Sequence, residues 1–233
     1  MLQSLINSVP SLTPQRGHIL VVGDIWIDHE QTADLGLARP PFLRHNSSAG
    51  LAMTLGDAGL IVTLVGFVGD DSVADAIEQA LQLTDVNADL LHIKAWETCT
   101  SAHLDIVNFT EARDGQKVAR QGRRQRRHKD EKALPIDGMS EYESHLQNRA
   151  ERYVHNAGAM ILVDYGLGSI AEPRALLFVA KQLGVPCIAV LGAQAPVDRY
   201  TDAEQTLVMT GLDFERGGEQ LRACLPESVV SRI

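Results

Sequence analysis

Five aspartates stand at or near the ends of apolar, β-branched runs, and their side chains are well placed to do chemistry. An ionised carboxylate only accepts hydrogen bonds, so it can hold paired hydroxyl groups or take a proton as a general base. In open α/β sheets, ligands bind at the carboxyl ends of the strands. Aspartates in this position therefore predict a ligand site at one edge of a sheet. The five are Asp24, Asp28, Asp70, Asp71 and Asp164.

Several of these aspartates also have a structural interpretation. Asp70, Asp71 or Ser72 can cap the amphipathic helix predicted over Val73–Leu83, and we favour the cap over catalysis for the two aspartates. Asp164 precedes a glycine-rich turn, DYGLG, where an aspartate can equally well form the turn or hold a ligand.

Other chemistries find little support. The eight histidines include no HxxxH or HExxH spacing, and the chain has neither a GxSxG elbow nor a P-loop. His103 and Asp105 share one predicted strand face, where we favour a polar pair over a ligand site. Three cysteines (Cys99, Cys187 and Cys224) without a CxxC pair argue against a disulfide framework or a zinc site. Cys187 fits a small buried hydrophobe. No metal ligand is predicted.

The composition predicts one globular domain. With 233 residues, 45% of them hydrophobic, the chain can bury a sizeable core. We predict an N-terminal extension over residues 1–17 and a domain over residues 18–233. Neither a signal peptide nor an apolar run long enough for a membrane span is present, which predicts a cytoplasmic protein.

Strand and helix patterns alternate along the chain, which predicts right-handed βαβ crossovers and a mostly parallel sheet covered on both faces. The segment Ser101–Arg120 is predicted to form an antiparallel hairpin instead. Strands are predicted at His18–Val22, Leu60–Val68, Ala159–Val163, Val185–Leu191 and Thr206–Thr210, and helices at Ser48–Gly59, Val73–Leu83, Met139–His155 and Glu172–Leu183.

The charge is unevenly distributed. The chain carries a net charge of −9, yet nine basic residues face only three acidic ones between Arg113 and Lys132. This segment is either a solvated loop or a docking site for an acidic or phosphorylated partner. Nucleic acid is not a predicted partner, because the acidic remainder would repel the phosphate backbone.

Five motifs, in order, resemble the PfkB or ribokinase-like carbohydrate kinases, and among these the heptose-phosphate kinase domain of the bifunctional enzyme of ADP-heptose synthesis. The resemblance implies a three-layer α/β ribokinase-like fold with a mostly parallel central sheet and a small β lid, to which residues 29–45 and 101–120 would contribute. The motifs are ILVVGDIWID (Ile19–Asp28), the helix ending in LGDAG, VTLVGFVGDD (Val62–Asp71), MILVDYGLG (Met160–Gly168) and QLGVP (Gln182–Pro186).

The functional residues that the resemblance implies are largely replaced. Asp28 matches the acidic residue that holds sugar hydroxyls. The family's diglycine corresponds to Asn46 and Ser47, and the nearby asparagine to Gly50. Leu167 stands where the likened enzymes have a lysine suited to a substrate phosphate. The resemblance thus implies a sugar site that is present only in vestigial form.

The nucleotide half is expected to be missing. The kinases place Asp-Pro-Lys where this chain reads Leu191–Gln194, and Thr-Pro-Asn where it has Met209–Gly211. The family's Gly-Ala-Gly-Asp run, which supplies an anion hole and the general base, occurs nowhere in the sequence. We therefore expect a fold lacking the C-terminal ATP-binding segment, no catalytic residues, and no cofactor.

These observations favour a catalytically inactive sugar-kinase homologue that is a structural or regulatory subunit of a larger assembly, bound to other subunits or to a second copy. Two alternatives stay open: a sugar or sugar-phosphate kinase completed by another chain, which alone would need ATP and magnesium, and a sugar-phosphate sensor. The predicted substrate-binding residues are Asp24, Asp28, Asn46, Ser47 and Asp164, and the predicted partner-binding residues are Arg120, Arg123, Arg124, Arg126 and Arg127.

Overall fold

The computed structural model describes residues 18–27, 47–94, 96–100, 140–170, 172–192, 195–209 and 225. The strands are β1 (His18–Gly23), β2 (Trp26–Ile27), β3 (Ile61–Gly69), β4 (Val86–Ile93), β5 (Cys99–Thr100), β6 (Ala159–Asp164), β7 (Cys187–Gly192) and β8 (Gln205–Met209). The helices are α1 (Ser48–Asp57), α2 (Ser72–Gln82), α3 (Ser140–Val154), α4 (Pro173–Gln182) and a short 3₁₀ helix (Val197–Tyr200).

A six-stranded sheet forms the centre of the fold, in the order β4-β3-β1-β6-β7-β8. Every neighbouring pair in this sheet is parallel. Helices α1 and α2 contact each other and the β1, β3 and β4 side, and α3 contacts α4 as well as the sheet. The predicted α/β fold with a mostly parallel central sheet is confirmed.

The central strands are apolar because helices cover both of their faces. Every residue of β1, β6 and β7 is buried, and so are eight of the nine residues of β3. Among the described residues, none of the helices combines the length and the apolar character that crossing a bilayer requires.

Strand β4 was not predicted from the sequence. Its residues, VNADLLHI, are exposed or half-buried except for Ile93, because β4 pairs with β3 on one side and lies at the edge of the described sheet. Such a strand carries polar residues and therefore lacks the continuous apolar run by which a buried strand is recognised in a sequence. The predicted hairpin and both lid segments lie outside the described residues. The two short strands that precede them in the sequence, β2 and β5, form a parallel pair.

A partly buried polar network links three strands at the amino-terminal end of the sheet. His18 donates from Nδ1 to the Asn156 carbonyl at 3.1 Å, so Nε2 accepts the Thr63 hydroxyl at 2.9 Å. The Asn87 amide in turn donates to Thr63 Oγ1 at 3.3 Å. Burial lowers the pKa of His18, which favours the neutral ring that this network needs. The network fixes the relative positions of β1, β3 and β4 at the end of the sheet opposite the candidate site.

Candidate functional site

Two of the predicted site residues meet at the carboxyl edge of the sheet. The strand order changes direction between β1 and β6, and ligands bind at such a switch point in open α/β sheets. Asp24 follows β1, and Asp164 is the last residue of β6. Their charges influence each other, because Asp164 is one cause of the shifted pKa of Asp24. The topology thus brings these two carboxylates together where a ligand is expected.

The Asp24 carboxylate is already occupied by the chain itself. Its side chain is fully buried. The Tyr165 N–H donates to Oδ2 at 2.6 Å and the Leu167 N–H donates to the same oxygen at 3.2 Å. The Ser169 N–H donates to Oδ1 at 3.2 Å. Three backbone amides therefore use the acceptor capacity that a sugar hydroxyl would need.

Asp164 is also engaged within the chain. Its Oδ1 accepts the Gly166 N–H at 2.7 Å, which closes a local turn, and its Oδ2 accepts the Tyr200 hydroxyl at 2.6 Å. Only 3% of Asp164 is exposed, and Tyr200 is fully buried. Of the two roles that the sequence allowed, the observed contacts are those of the turn-forming aspartate.

Both carboxyl groups hold their protons more tightly than an exposed aspartate does. Burial, followed by the charge of Asp164, raises the pKa of Asp24 to about 6, against the lowering effect of the hydrogen bonds that it accepts. Burial also raises the pKa of Asp164, while the hydrogen bond from Tyr200 opposes the rise. The pair is a buried polar centre at the carboxyl edge of the sheet.

Aromatic and aliphatic side chains fill the space beside these carboxylates. The Tyr165 and Trp26 rings pack edge to face with centroids 6.0 Å apart, and both residues are buried. A Cβ added to Gly192 would lie 2.7 Å from Tyr165 Cδ1, so the ring occupies the volume above the end of β7. Leu167, where the likened enzymes have a lysine, is only 5% exposed. The switch point is packed with the chain's own side chains.

Ser47 is a helix cap in this structure. Its hydroxyl accepts the Gly50 N–H at 3.1 Å at the start of α1. The next residue ties the same helix to the site, because the Ser48 hydroxyl donates to the Asp24 carbonyl at 2.8 Å and the Ser48 N–H donates to it at 3.0 Å. Asp24 therefore anchors α1 through its backbone and the loop after β6 through its side chain.

The predicted cap of α2 is confirmed and is Asp71. Its Oδ1 accepts the N–H groups of Val73 at 3.1 Å and Ala74 at 2.8 Å. The same carboxylate accepts the Thr98 N–H at 2.6 Å and the Thr98 hydroxyl at 2.8 Å. Asp70 is exposed. Asp71 thus joins α2 to the segment before β5, a structural role.

Several predicted residues lie outside the described part of the chain. These are Asp28 and Asn46 of the predicted substrate site, the predicted partner-binding residues Arg120, Arg123, Arg124, Arg126 and Arg127, and the pair His103 and Asp105. Their assignments stay predictions.

Few sequence features indicate the residues that complete this centre. Tyr200 stands in the polar stretch VDRYTD, where no periodicity marks it as buried. Tyr165 acts through its backbone N–H group, which any residue type supplies, whereas Ser169 contributes both its backbone N–H group and its side chain. A usable signal was the alternation of glycines at Gly166 and Gly168, which permits the left-handed backbone that turns these amides inward.

The cysteines and the carboxylates in the described part of the chain form no metal centre. Cys99 and Cys187 are buried free thiols, and burial raises the pKa of each. Cys187 is the small buried residue that its strand predicted. Within the described ranges, no three His, Cys, Asp or Glu side chains are grouped so that they could hold a metal ion.

Curated relatives were found by sequence, whereas no family model matches the chain. The bifunctional protein HldE of Shewanella denitrificans is 24% identical over 186 residues, which cover 73% of this chain and 34% of that protein. The HldE protein of Shewanella loihica is 26% identical over 182 residues, with the same coverage. That of Klebsiella pneumoniae is 24% identical over 185 residues, covering 75% and 35%. The chain spans about a third of the length of the curated relatives it matches.

Solved structures were also matched. A Thermotoga maritima protein described as a possible 1-phosphofructokinase matches with a TM-score of 0.46 and 12% identity, covering 88% of this chain and 69% of that one. A carbohydrate kinase from Agrobacterium tumefaciens matches with a TM-score of 0.42 and 13% identity, covering 81% and 59%. The sequence relatives confirm the family resemblance predicted from the motifs: the chain is a homologue of part of the HldE proteins.

Proposed function

We propose that this homologue of carbohydrate-kinase domains is catalytically inactive and serves as a structural or regulatory subunit of a larger protein assembly. The observation that carries the proposal is the burial and the hydrogen bonding of the Asp24 carboxylate. Its carboxylate is fully buried and accepts three backbone N–H groups of the loop after β6. Its roughly four acceptor sites are engaged by these three amides and by the Ser169 side chain, so the carboxylate holds the fold together and is not available to a sugar hydroxyl.

Two further features of the same edge support the proposal. Leu167 is buried against the core where the likened kinases have a lysine, so the cation that would hold a substrate phosphate is replaced by packing. The close approach of Tyr165 to Gly192 leaves no room for a side chain at the end of β7. A substrate could enter this edge only if the aromatic side chains moved.

The proposal includes no cofactor, with ATP and magnesium required only by the kinase alternative. It places the protein in the cytoplasm, in contact with other subunits or with a second copy. The arginine segment is its proposed acidic or phosphorylated contact, through Arg120, Arg123, Arg124, Arg126 and Arg127.

A second candidate is an active sugar kinase completed by another chain. The observation that favours it is the pair of buried carboxylates with raised pKa values at the switch point, because such pairs occur at catalytic sites. Release of ADP from ATP–magnesium, with sugar phosphates present, separates the two functions. We expect no release above the buffer rate, with an active sugar kinase run in parallel. Release that depends on a sugar phosphate and is abolished by Asp28→Asn would overturn the inactive assignment.

The assembly itself is tested by size-exclusion chromatography with light scattering and by affinity purification from the native host. We expect either a stable oligomer or a companion recovered in a fixed ratio. The role of the arginine segment is tested separately by a variant in which Arg123, Arg124, Arg126 and Arg127 are replaced by Glu. A monomer without a companion contradicts the subunit role, whereas unchanged recovery by the reversed variant removes only the role of the arginines.

A further inference from the structure

The loop after β6 directs alternate backbone N–H groups at one point. The amides of Tyr165, Leu167 and Ser169 all donate to the Asp24 carboxylate, at 2.6, 3.2 and 3.2 Å. The residues between them, Gly166 and Gly168, have φ of +78° and +96°. Alternation of left-handed and ordinary residues turns successive amides into a concave nest that binds anions.

The first turn of this loop closes without Asp24. Asp164, the residue just before the loop, accepts the Gly166 N–H at 2.7 Å and so closes the first turn locally. Asp24 is more than 140 residues away in the sequence and reaches the loop only through the sheet. The nest is therefore held by its own local turn and glycines, and Asp24 enters it as a ligand would.

The nest needs a hydrogen-bond acceptor, and its amides favour an anion, because their hydrogen bonds lower the pKa of Asp24 against the larger raising effects of burial and Asp164. Tyr165, Leu167 and Ser169 are each at most 5% exposed, so water does not replace a lost acceptor. Buried N–H groups without an acceptor are strongly disfavoured. One carboxylate oxygen accepts two of the amides and the other oxygen accepts the third, an arrangement that suits a small planar anion with two oxygens.

We propose that the loop 165–169 is an anion receptor whose internal occupant is the Asp24 carboxylate, and that the receptor binds a small free carboxylate such as formate when that side chain is removed. Asp24 is then an autoinhibitory ligand, because it keeps external anions out of a preformed site. This inference rests on the geometry of the loop and stands whether or not the proposed function is correct.

The Asp24→Ala variant tests the proposal by chemical rescue. The alanine keeps the Cβ and removes a group of about the size of formate. We expect formate at neutral pH to raise the Tm of this variant by about 2–4 °C in a saturable way, with sodium chloride at equal ionic strength giving no such rise. The Trp26 ring packs against Tyr165, so tryptophan fluorescence should follow the same titration.

Val22→Ala is the matched control. Val22 is fully buried on β1, the strand that Asp24 follows, and its truncation removes apolar contacts without freeing N–H groups. Formate should leave its Tm unchanged relative to chloride. Equal responses of the two variants, or equal effects of formate and chloride on Asp24→Ala, would contradict the proposal.

A measurement on the unaltered chain tests whether Asp24 is the common occupant of the nest if Asp24→Ala does not fold. In an NMR pH titration we expect the amide protons of Tyr165, Leu167 and Ser169 to shift together with one midpoint, because one carboxylate accepts all three. The space-filling variant Asp24→Asn should fold and lose this common transition. Independent midpoints, or a transition that persists in Asp24→Asn, would overturn the assignment.

Discussion

Asp24 shows how one residue can occupy a ligand position and still be structural. Its carbonyl accepts from Ser48 at the start of α1, and its carboxylate accepts from the loop after β6. The cost of burying this group is visible in its pKa, which burial and Asp164 raise to about 6. A folded protein that binds a proton more tightly than its unfolded chain becomes less stable as that proton is lost.

The stability difference between the wild-type chain and Asp24→Asn should depend on pH. The pKa of Asp24 is about 6 in the folded state, against an ordinary value of 3.8. Its contribution to stability is therefore complete below about pH 4, decreases as the pH rises to about 6, and is constant above that. Between pH 4 and pH 7 the wild-type chain should lose about 3 kcal/mol relative to Asp24→Asn. Urea unfolding at several pH values measures this, and a constant difference would refute it.

Gly168 provides a test of backbone conformation alone. Its φ is +96°, and a Cβ at this position would meet no atom within 4 Å. Gly168→Ala should therefore cost about 1–3 kcal/mol through backbone strain rather than through a clash. Gly184, with φ of +66° and equally open surroundings, is the matched control after α4. Both substitutions should lower the free energy of unfolding, but only Gly168→Ala should shift the NMR titration of Asp24. A shift in both variants would contradict the local role of Gly168.

At the scale of elements, polar side chains join the ends of helices to the sheet edge. Asp71 is the clearest example, because it caps α2 and also accepts two hydrogen bonds from Thr98. Gly69 is needed beside this junction, since a Cβ there would lie 2.4 Å from the Trp96 carbonyl oxygen. The loop between β4 and β5 is thus fastened directly to the start of α2.

Loss of the Asp71 carboxylate should destabilise the fold by about 2–3 kcal/mol. The substitution Asp71→Ala removes a helix cap and leaves the Thr98 N–H without its acceptor. Asp75, an exposed acidic residue in the first turn of the same helix, is the control. Its replacement by Ala should cost less than about 1 kcal/mol, through the helix dipole alone. Chemical denaturation of both variants checks the ranking, and equal losses would contradict it.

The sequence was sufficient to predict elements that show a local pattern. The buried runs of β1, β3, β6 and β7, and the cap at Asp71, were all predicted, because apolar runs and capping residues are adjacent in the sequence. Strand β4 was missed because its exposed edge carries polar residues. The hydrogen bonds to Asp24 could not be predicted, because its donors are more than 140 residues away and three of them are backbone amides.

For the whole molecule, the arrangement combines the topology of a ligand-binding sheet with a filled ligand position. The strand order places Asp24 and Asp164 at the switch point, where open α/β sheets bind ligands. The same point is closed by Tyr165, Trp26 and Leu167, all of them buried. This filled position is the observation on which our proposal of a structural role rests.

The central claim is that the strand-end carboxylates are committed to the fold and leave no substrate site. Isothermal titration calorimetry tests this claim, with ATP–magnesium in one titration and sugar phosphates in another. We predict only heats of dilution in both titrations, at protein concentrations where millimolar affinities are detected. Saturable binding of ATP–magnesium would contradict the claim in favour of a kinase, and saturable binding of a sugar phosphate alone would contradict it in favour of a sensor.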